Sequence, residues 1–222
     1  MLGRLIAIGD LHGCLAALDA ILEHVAPQAD DTIVTLGDYI DRGPDSRGVI
    51  ARLLELRTAC RLTPLLGNHD DILLDICQGA EELMGDWLTF GGEQTLASYQ
   101  TMKPHKIPAD HIEFLESCTL MHETERHFFT HGSYDPRLPL DEQNPRLLLW
   151  GKLRPTPPGP HPSGKIAIVG HTAQRDGRIL DLGYLKCIDT CCYGNGYLTA
   201  LDVNTGQVWQ ADKKGAMKRN DE

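Results

Sequence analysis

Five times along this chain a short apolar run gives way to Asp, Asn or His beside a glycine. The segments are Gly9-Asp10-Leu11-His12-Gly13, Gly37-Asp38-Tyr39-Ile40-Asp41-Arg42-Gly43, Gly67-Asn68-His69-Asp70, Thr130-His131-Gly132 and Gly170-His171-Thr172. The runs before them, at 5–9, 32–36, 62–66, 128–130 and 166–169, are bounded by turn residues and read as buried strands. Loops at strand ends are where α/β proteins collect functional groups. Any fold for this chain must therefore bring five strand ends to a common edge.

Between the first two runs, Leu15, Leu18, Ile21, Leu22 and Val25 recur at helical spacing over 14–25. Val49, Ile50, Leu53, Leu54 and Leu56 do so over 46–57, with Ser46 as the expected cap. Strand, helix, strand, helix, strand argues for parallel pairing with right-handed crossovers. From 70 to 118 the spacing is helical, broken by glycines and by the stretch 103–108. After Gly170 it turns to β at 185–188, 197–203 and 208–210, with a hairpin expected at Asn204-Thr205-Gly206. The fold class expected is mixed α/β (α+β): a two-sheet β-sandwich core flanked by helices. Residues 1–211 form one domain in this reading. A Pro- and Gly-rich loop spans 153–164, and the charged tail 212–222 is expected to fray.

The formal net charge of −10 argues against long-range attraction to nucleic acid or an anionic membrane. No apolar stretch approaches the ~18 residues of a membrane span, and no signal peptide is legible at the start. The seven cysteines are irregularly spaced, without a Cys-x-x-Cys pair. That pattern points away from disulfides and thiolate zinc and toward a reducing, cytoplasmic setting.

Each motif alone has a plain structural explanation. Gly and Asp end strands for turn reasons, and Asn68 could cap a helix. Asp38 and Asp41 would repel at one turn unless a cation or Arg42 sat between them. The repetition decides. Parallel strands would deliver Asp10 with His12, Asp38 with Asp41, and Asn68 with His69 to one edge, joined there by His131 and His171. Carboxylate, carboxamide and imidazole donors without thiolates suit Mn, Fe or Zn. Surface or cap roles are expected for His24, His105, His111, His122, His127 and His161, and packing roles for Trp87 and Trp150.

The motifs GDxHG, GDxxDRG, GNH[ED], the HxG type and GH occur here in order. The chain resembles the PPP-type phosphatases of the calcineurin-like metallophosphoesterase superfamily, nearest their bacterial and phage members. Further similarity lies in Phe90-Gly91-Gly92-x-x-Thr95-Leu96-x-Ser98-Tyr99, Leu148-Leu149-Trp150 and Ile188-Asp189-Thr190. The resemblance implies an αββα architecture and two divalent ions, manganese first, with iron or zinc as alternatives. Asp10, His12 and Asp38 would hold the first ion. Asp38 would bridge to a second, completed by Asn68, His131 and His171. Asp41 and His69 would form a charge-linked pair at the leaving group, and Arg42 would bind the substrate phosphate. A bridged pair of ions within about 4 Å could activate a water for in-line attack on phosphorus.

Three departures stand out. Leu66 occupies a place where many members carry Arg. Asp70 replaces the usual Glu. The second phosphate clamp has no unique match, with Arg154 the candidate and Lys152 and Arg137 behind it. The activity implied is phosphomonoester hydrolysis on a phosphoprotein or phosphopeptide, serine/threonine before tyrosine. Hydrolysis of dinucleoside polyphosphates or another small phosphoester is the alternative. An inactive scaffold of the same fold would be expected to have lost ligands, and this chain retains all six positions and His69.

Overall fold

The computed structural model describes residues 3–219. Two five-stranded sheets face each other. In the first, the order is β10-β9-β1-β2-β3, where β1 is Leu5–Ile8, β2 Thr32–Thr35, β3 Arg61–Pro64, β9 Leu198–Asp202 and β10 Val208–Ala211. In the second it is β4-β5-β6-β8-β7, with β4 Met121–Glu123, β5 His127–Thr130, β6 Ile166–Val169, β7 Leu180–Asp181 and β8 Leu185–Cys187. Strands β1, β2 and β3 run parallel, as do β5, β6 and β8, and the outer strands are antiparallel. The mixed two-sheet sandwich expected from the sequence is the fold observed.

The pleat sorts the side chains. Ala7, Val34, Leu36 and Leu65 meet Phe129, Ile168, Ile188 and Leu201 between the sheets. Their neighbours Ile6, Ile8 and Ile33 point the other way, into a core shared with α1 (Leu15–Val25), α2 (Ser46–Ala59) and α3 (Asn68–Cys77). On the far side of the second sheet, Phe128, Ala167 and Val169 pack against Tyr134, Leu140 and Leu153. Helix α2 is capped by Asp45, whose Oδ1 accepts from Gly48 N at 2.7 Å, and not by the expected Ser46. Ser46 is buried, and its hydroxyl accepts from Asp41 N at 3.2 Å.

The helical stretch begins at Asn68 and continues through α4 (Met84–Trp87), α5 (Glu93–Ser98) and α6 (Ala109–Glu116). A last short helix, α7 (Pro145–Trp150), precedes β6. Three histidines expected at the surface are buried: His111, bonded to Tyr99 Oη at 2.7 Å, His127 within β5, and His161, bonded to Leu138 O at 3.0 Å. Residues beyond Asp212 do not fray at once. Met217 bridges to Ala211, and Lys218 N donates to Gln210 O at 2.8 Å. The tail's last residues, 220–222, lie outside those described.

At the strand starts, away from the five motifs, Asp31 ties β1 to β2. Its carboxylate accepts from Arg4 N at 2.8 Å, from the Arg4 guanidinium and from Gln28 N at 2.8 Å. Burial acts to raise the Asp31 pKa, but the Arg4 bonds and the backbone amides outweigh it and bring it down to about 2. Asp31→Asn should destabilise the fold by about 1.5–3 kcal/mol at pH 7, read by urea unfolding. A carboxyl with a depressed folded-state pKa contributes fully above its unfolded value. The difference between variant and parent should therefore persist above pH ~4 and vanish as pH falls toward about 2.

Candidate metal centre

Register brings the motifs together. Ile8 pairs with Thr35 and Thr35 with Pro64, so the first three motifs leave the same edge of one sheet. Thr130 pairs with Val169, which does the same for the last two. Hydrogen bonds close the seam between the sheets. His131 Nδ1 donates to Leu36 O at 2.8 Å, and His171 N donates to Asp10 Oδ2 at 3.0 Å. Leu11 N and His12 N both donate to Asp38 O, locking the first loop onto the second. Asp70 accepts from Gly67 N and from Tyr39 N, each at 3.0 Å, and locks the third onto it.

These turns are tight. His12, Asp38, Asp41, Arg42 and His171 all sit at positive φ, between 41° and 71°. Left-handed backbone at non-glycine residues costs roughly 1–3 kcal/mol each and clusters at functional sites. Glycine is needed where the loops touch. A Cβ on Gly67 would lie 2.2 Å from Asp38 Oδ1, and one on Gly170 would lie 2.1 Å from Asp10 Oδ1.

The donor set fits divalent ions on the evidence of its hydrogen bonds. His12 Nδ1 faces Ile40 O at 2.9 Å, and His131 Nδ1 faces Leu36 O. A carbonyl only accepts, so in each ring Nδ1 carries the proton and Nε2 presents a lone pair. His131 Nε2 then faces Asn68 Oδ1 at 3.0 Å and Asp38 Oδ1 at 3.5 Å. His12 Nε2 faces the other oxygen, Asp38 Oδ2, at 3.3 Å. Lone pairs converge there on lone pairs, with Asp38 shared between the two clusters. Among the described residues, buried Asp10 Oδ1 and His171 Nε2 find no protein partner. Orientation of Nε2 by a carbonyl behind Nδ1 is the usual support of a ligating histidine.

The electrostatics agree. Asp10, Asp38, Asp41, Asp70 and Asp189 are all buried here. Burial, aided by the neighbouring carboxylates Asp189 and Asp38, drives Asp10 well up. Burial pushes Asp38 the same way, yet the imidazoles of His131, His69, His12 and His171 hold it well below the usual carboxylate range. Burial lowers His12 and His131 and takes His171 down to about 3, while Asp38 pulls each the other way. Among the described residues, two groupings have donor atoms within 4.8 Å of one another: His12, Asp38 and His69, and Asp38, His131 and His171.

His69 and Asp41 form the expected pair. His69 Nδ1 lies 2.7 Å from Asp41 Oδ2. Two side chains to which the sequence assigned no such role hold that carboxylate: Thr95 Oγ1 donates to Oδ1 at 2.6 Å, and Trp87 Nε1 to Oδ2 at 3.0 Å. Both lie in the helical stretch, and only the glycine-threonine similarity around Thr95 hinted at it. Arg42 lies over the Tyr193 ring at 4.6 Å and donates to His12 Nε2 and His69 Nε2, each at 2.8 Å.

A cavity of about 560 Å³ opens over these groups, and Arg42, His69, Asn68, Asp38 and His171 line it. Arg154 and Lys152 line it too, with Arg175, which the sequence did not single out. Arg137 does not. It pairs with Asp135 on the surface. Trp150, expected to pack, is 39% exposed and forms a wall of the cavity. Leu66 is half-buried and lines the adjoining groove, so it leaves no gap in the cavity itself. Asp189, past the end of β8, adds a carboxyl at a sixth strand end; burial lifts it to about 6. Its signal was the Ile188-Asp189-Thr190 similarity, which carried no role.

Comparison with known proteins agrees with this geometry. The sequence pattern of the family described as Calcineurin-like phosphoesterase matches residues 3–200, and the chain belongs to that family. Serine/threonine-protein phosphatase 1 of Salmonella typhimurium is 29% identical over 206 residues, 88% of this chain and 90% of that protein. The symmetrical bis(5'-nucleosyl)-tetraphosphatase of Ectopseudomonas mendocina is 44% identical over 84 residues, but this covers only 37% of this chain and 30% of that protein. Among solved structures, one whose assignment as a diadenosine tetraphosphatase is provisional superposes with a TM-score of 0.72. Its identity is 23%, over 99% of this chain and 96% of that one. The chain is thus a hydrolase of phosphoester bonds.

The close approach at Gly170 gives a test of the donor set. Gly170→Ala would drive the Asp10 carboxylate from its place. We expect native-like circular dichroism with a lower metal content by elemental analysis, because only a flexible carboxylate end must move. Unchanged metal content would reject Asp10 as a donor.

Proposed function

We propose that this calcineurin-like phosphoesterase hydrolyses phosphate monoesters, with a phosphorylated serine or threonine of a protein as the leading substrate, in the cytoplasm. The observation that carries the reaction is Asp38, whose two carboxylate oxygens face two separate imidazoles, His12 at 3.3 Å and His131 at 3.5 Å. Asp10, His12 and Asp38 would hold one divalent ion, and Asp38, Asn68, His131 and His171 another, with manganese the first choice. Bound ions of this kind polarise phosphoryl oxygens and make water a nucleophile at neutral pH.

The chain's own groups do the rest. Arg42 turns from the two imidazoles to the phosphoryl oxygens, which its planar fork suits. That movement frees His12 Nε2 for an ion and His69 Nε2 for a proton. His69 then donates from Nε2 to the departing oxygen, while Asp41 accepts from Nδ1 and stabilises the imidazolium. Thr95 and Trp87 keep the Asp41 carboxylate aimed at the ring.

The phosphoprotein reading is supported by the length over which the Salmonella phosphatase matches. Hydrolysis of a dinucleoside polyphosphate is the second reading, favoured by the cations Arg42, Lys152, Arg154 and Arg175 around one cavity.

Two measurements test the roles. Asp38→Asn should lose both ions by elemental analysis, and chelation of the parent should abolish p-nitrophenyl phosphate hydrolysis until Mn²⁺ is restored. His69→Asn should keep its metal and lose roughly 10²–10⁴-fold in kcat on alkyl phosphates, the usual worth of general acid catalysis. The loss should be smaller on p-nitrophenyl phosphate, whose leaving group needs less protonation. Equal losses on the two substrates would remove His69 from the leaving-group role.

A further inference from the structure

We propose that Phe90 is a specificity-determining residue on the leaving-group side of the site, where its ring takes an apolar group, aryl best, joined to the departing oxygen. The proposal rests on the reading of His69 as the proton donor to that oxygen.

Large apolar side chains seldom stand open on this protein. Among the described residues Phe90, Met102, Trp150 and Val208 do so, with Phe90 45% exposed. The two aromatic ones line the cavity over Asp38 and His69. Phe90 also lines the adjoining apolar groove and a smaller opening of about 430 Å³ beside Arg42 and Tyr193. Its ring stands where the three meet.

That ring is set against the proposed proton donor. It meets the His69 ring edge to face, with 6.4 Å between centroids and 73° between planes. A group bonded to the oxygen that His69 protonates projects from the His69 end of the phosphoryl group. Phe90 is an apolar surface at that end. The face of Tyr193, nearer the first ion's ligands, is already covered by Arg42 at 4.6 Å.

The exposure of Phe90 is held in place by its neighbours. Leu88–Gly92 is one π-type turn, a form that recurs at functional sites. Just before it, Trp87 is fully buried, and its Nε1 donates to Asp41 Oδ2. Just after Phe90, Gly91 sits at φ 117° and accepts from Arg42 N at 3.2 Å; a Cβ there would lie 2.5 Å from that nitrogen. A Cβ on Gly92 would lie 2.5 Å from the Trp87 ring. The turn is thus pinned on one flank to the carboxylate that orients His69 and on the other to the backbone of Arg42. Phe90 is the ring it presents to the cavity.

Contacts away from the reacting bond select among substrates that share one phosphoryl group. A phosphorylated serine offers the ring one methylene, and an aryl phosphate offers a whole face. Preference should therefore rise with the apolar area carried on the departing oxygen.

The test is isothermal titration of the full-length, Mn²⁺-loaded protein with phenylphosphonate and methylphosphonate, at a pH where both are dianions. In each, carbon stands in the place of the departing oxygen, so neither is hydrolysed. The parent should bind phenylphosphonate the more tightly. Phe90→Ala should weaken phenylphosphonate at least about fivefold, the scale of an aromatic pair with its buried area, and methylphosphonate distinctly less. Phe90→Tyr should keep most of the parent's preference. Equal weakening of the two probes, a parent without preference, or a greater loss of preference in Trp150→Ala than in Phe90→Ala would overturn the proposal.

The same parent is assayed on p-nitrophenyl phosphate. No hydrolysis, with the phenylphosphonate preference present and lost in Phe90→Ala, would reject the functional reading and leave Phe90 as a ring-binding wall. Hydrolysis without that preference would reject the role of Phe90 and leave the functional reading standing.

Discussion

The carboxylate of Asp38 is the group around which the molecule is arranged. It is buried at the seam of the two sheets, where an uncompensated charge costs several kcal/mol. One oxygen faces His12, and the other faces His131 and accepts from His69 N. Its own carbonyl holds the first loop through Leu11 N and His12 N. The second sheet reaches it through His131, itself bonded to Leu36 O beside the Asp38 turn. With Asp10, Asp41, Asp70 and Asp189 buried nearby and Arg42 the cation in contact, the region carries more negative charge than its protein partners neutralise. Bound metal ions would answer that imbalance. The strained, left-handed turns that aim these side chains would then be offset by ion binding as well as by the apolar core beneath.

The helical stretch after the third motif has a definite task in this arrangement. Trp87 is fully buried, yet its indole nitrogen reaches Asp41, and Thr95 shares a two-way bond with the same residue, donating to the carboxylate and accepting from its backbone N. Gly91 brings the chain against Arg42, whose N donates to Gly91 O at 3.2 Å. The segment thereby fixes both the Asp41 carboxylate and the backbone of Arg42. A hydrogen-bonded carboxylate held from two sides keeps His69 in one tautomer and one orientation, which an isolated Asp–His pair would not guarantee.

The surroundings of the site are asymmetric. On one side are the cations Lys152, Arg154 and Arg175; on the other, past Phe90 and Trp150, lies a groove of about 880 Å³ floored by Leu66, Ile72, Leu83 and Leu149 and edged by Asp71, Asp75 and Asp86. The two share the rings of Phe90 and Trp150 as a ridge. The first is cationic, whereas the second mixes Asp71, Asp75 and Asp86 with Arg146 among apolar side chains.

Much of this was legible in the residue order. Polar groups set at strand ends follow short apolar runs and need glycine where loops touch, so Asp10, His12, Asp38, Asn68, His131 and His171 stood out together as candidate ligands. Parallel order followed from strands separated by helical periods, because period and spacing are local properties of the chain. Tertiary structure decided the rest. Trp87 and Thr95 meet Asp41 across 46 and 54 positions of sequence, and nothing in their neighbours announces it. Ser46 was placed at a cap by composition, while packing turned it inward and gave the cap to Asp45. His111, His127 and His161 are buried because each is paired or sheltered by elements far along the chain. Arg175 became part of the cavity wall only when Thr172 joined two loops, and Leu66 left the cavity only when Phe90 and Trp150 rose between them. A sequence states which groups a strand end carries; which distant side chains then face them depends on packing, where a side chain's surroundings are set by shape and burial rather than by its neighbours in the chain.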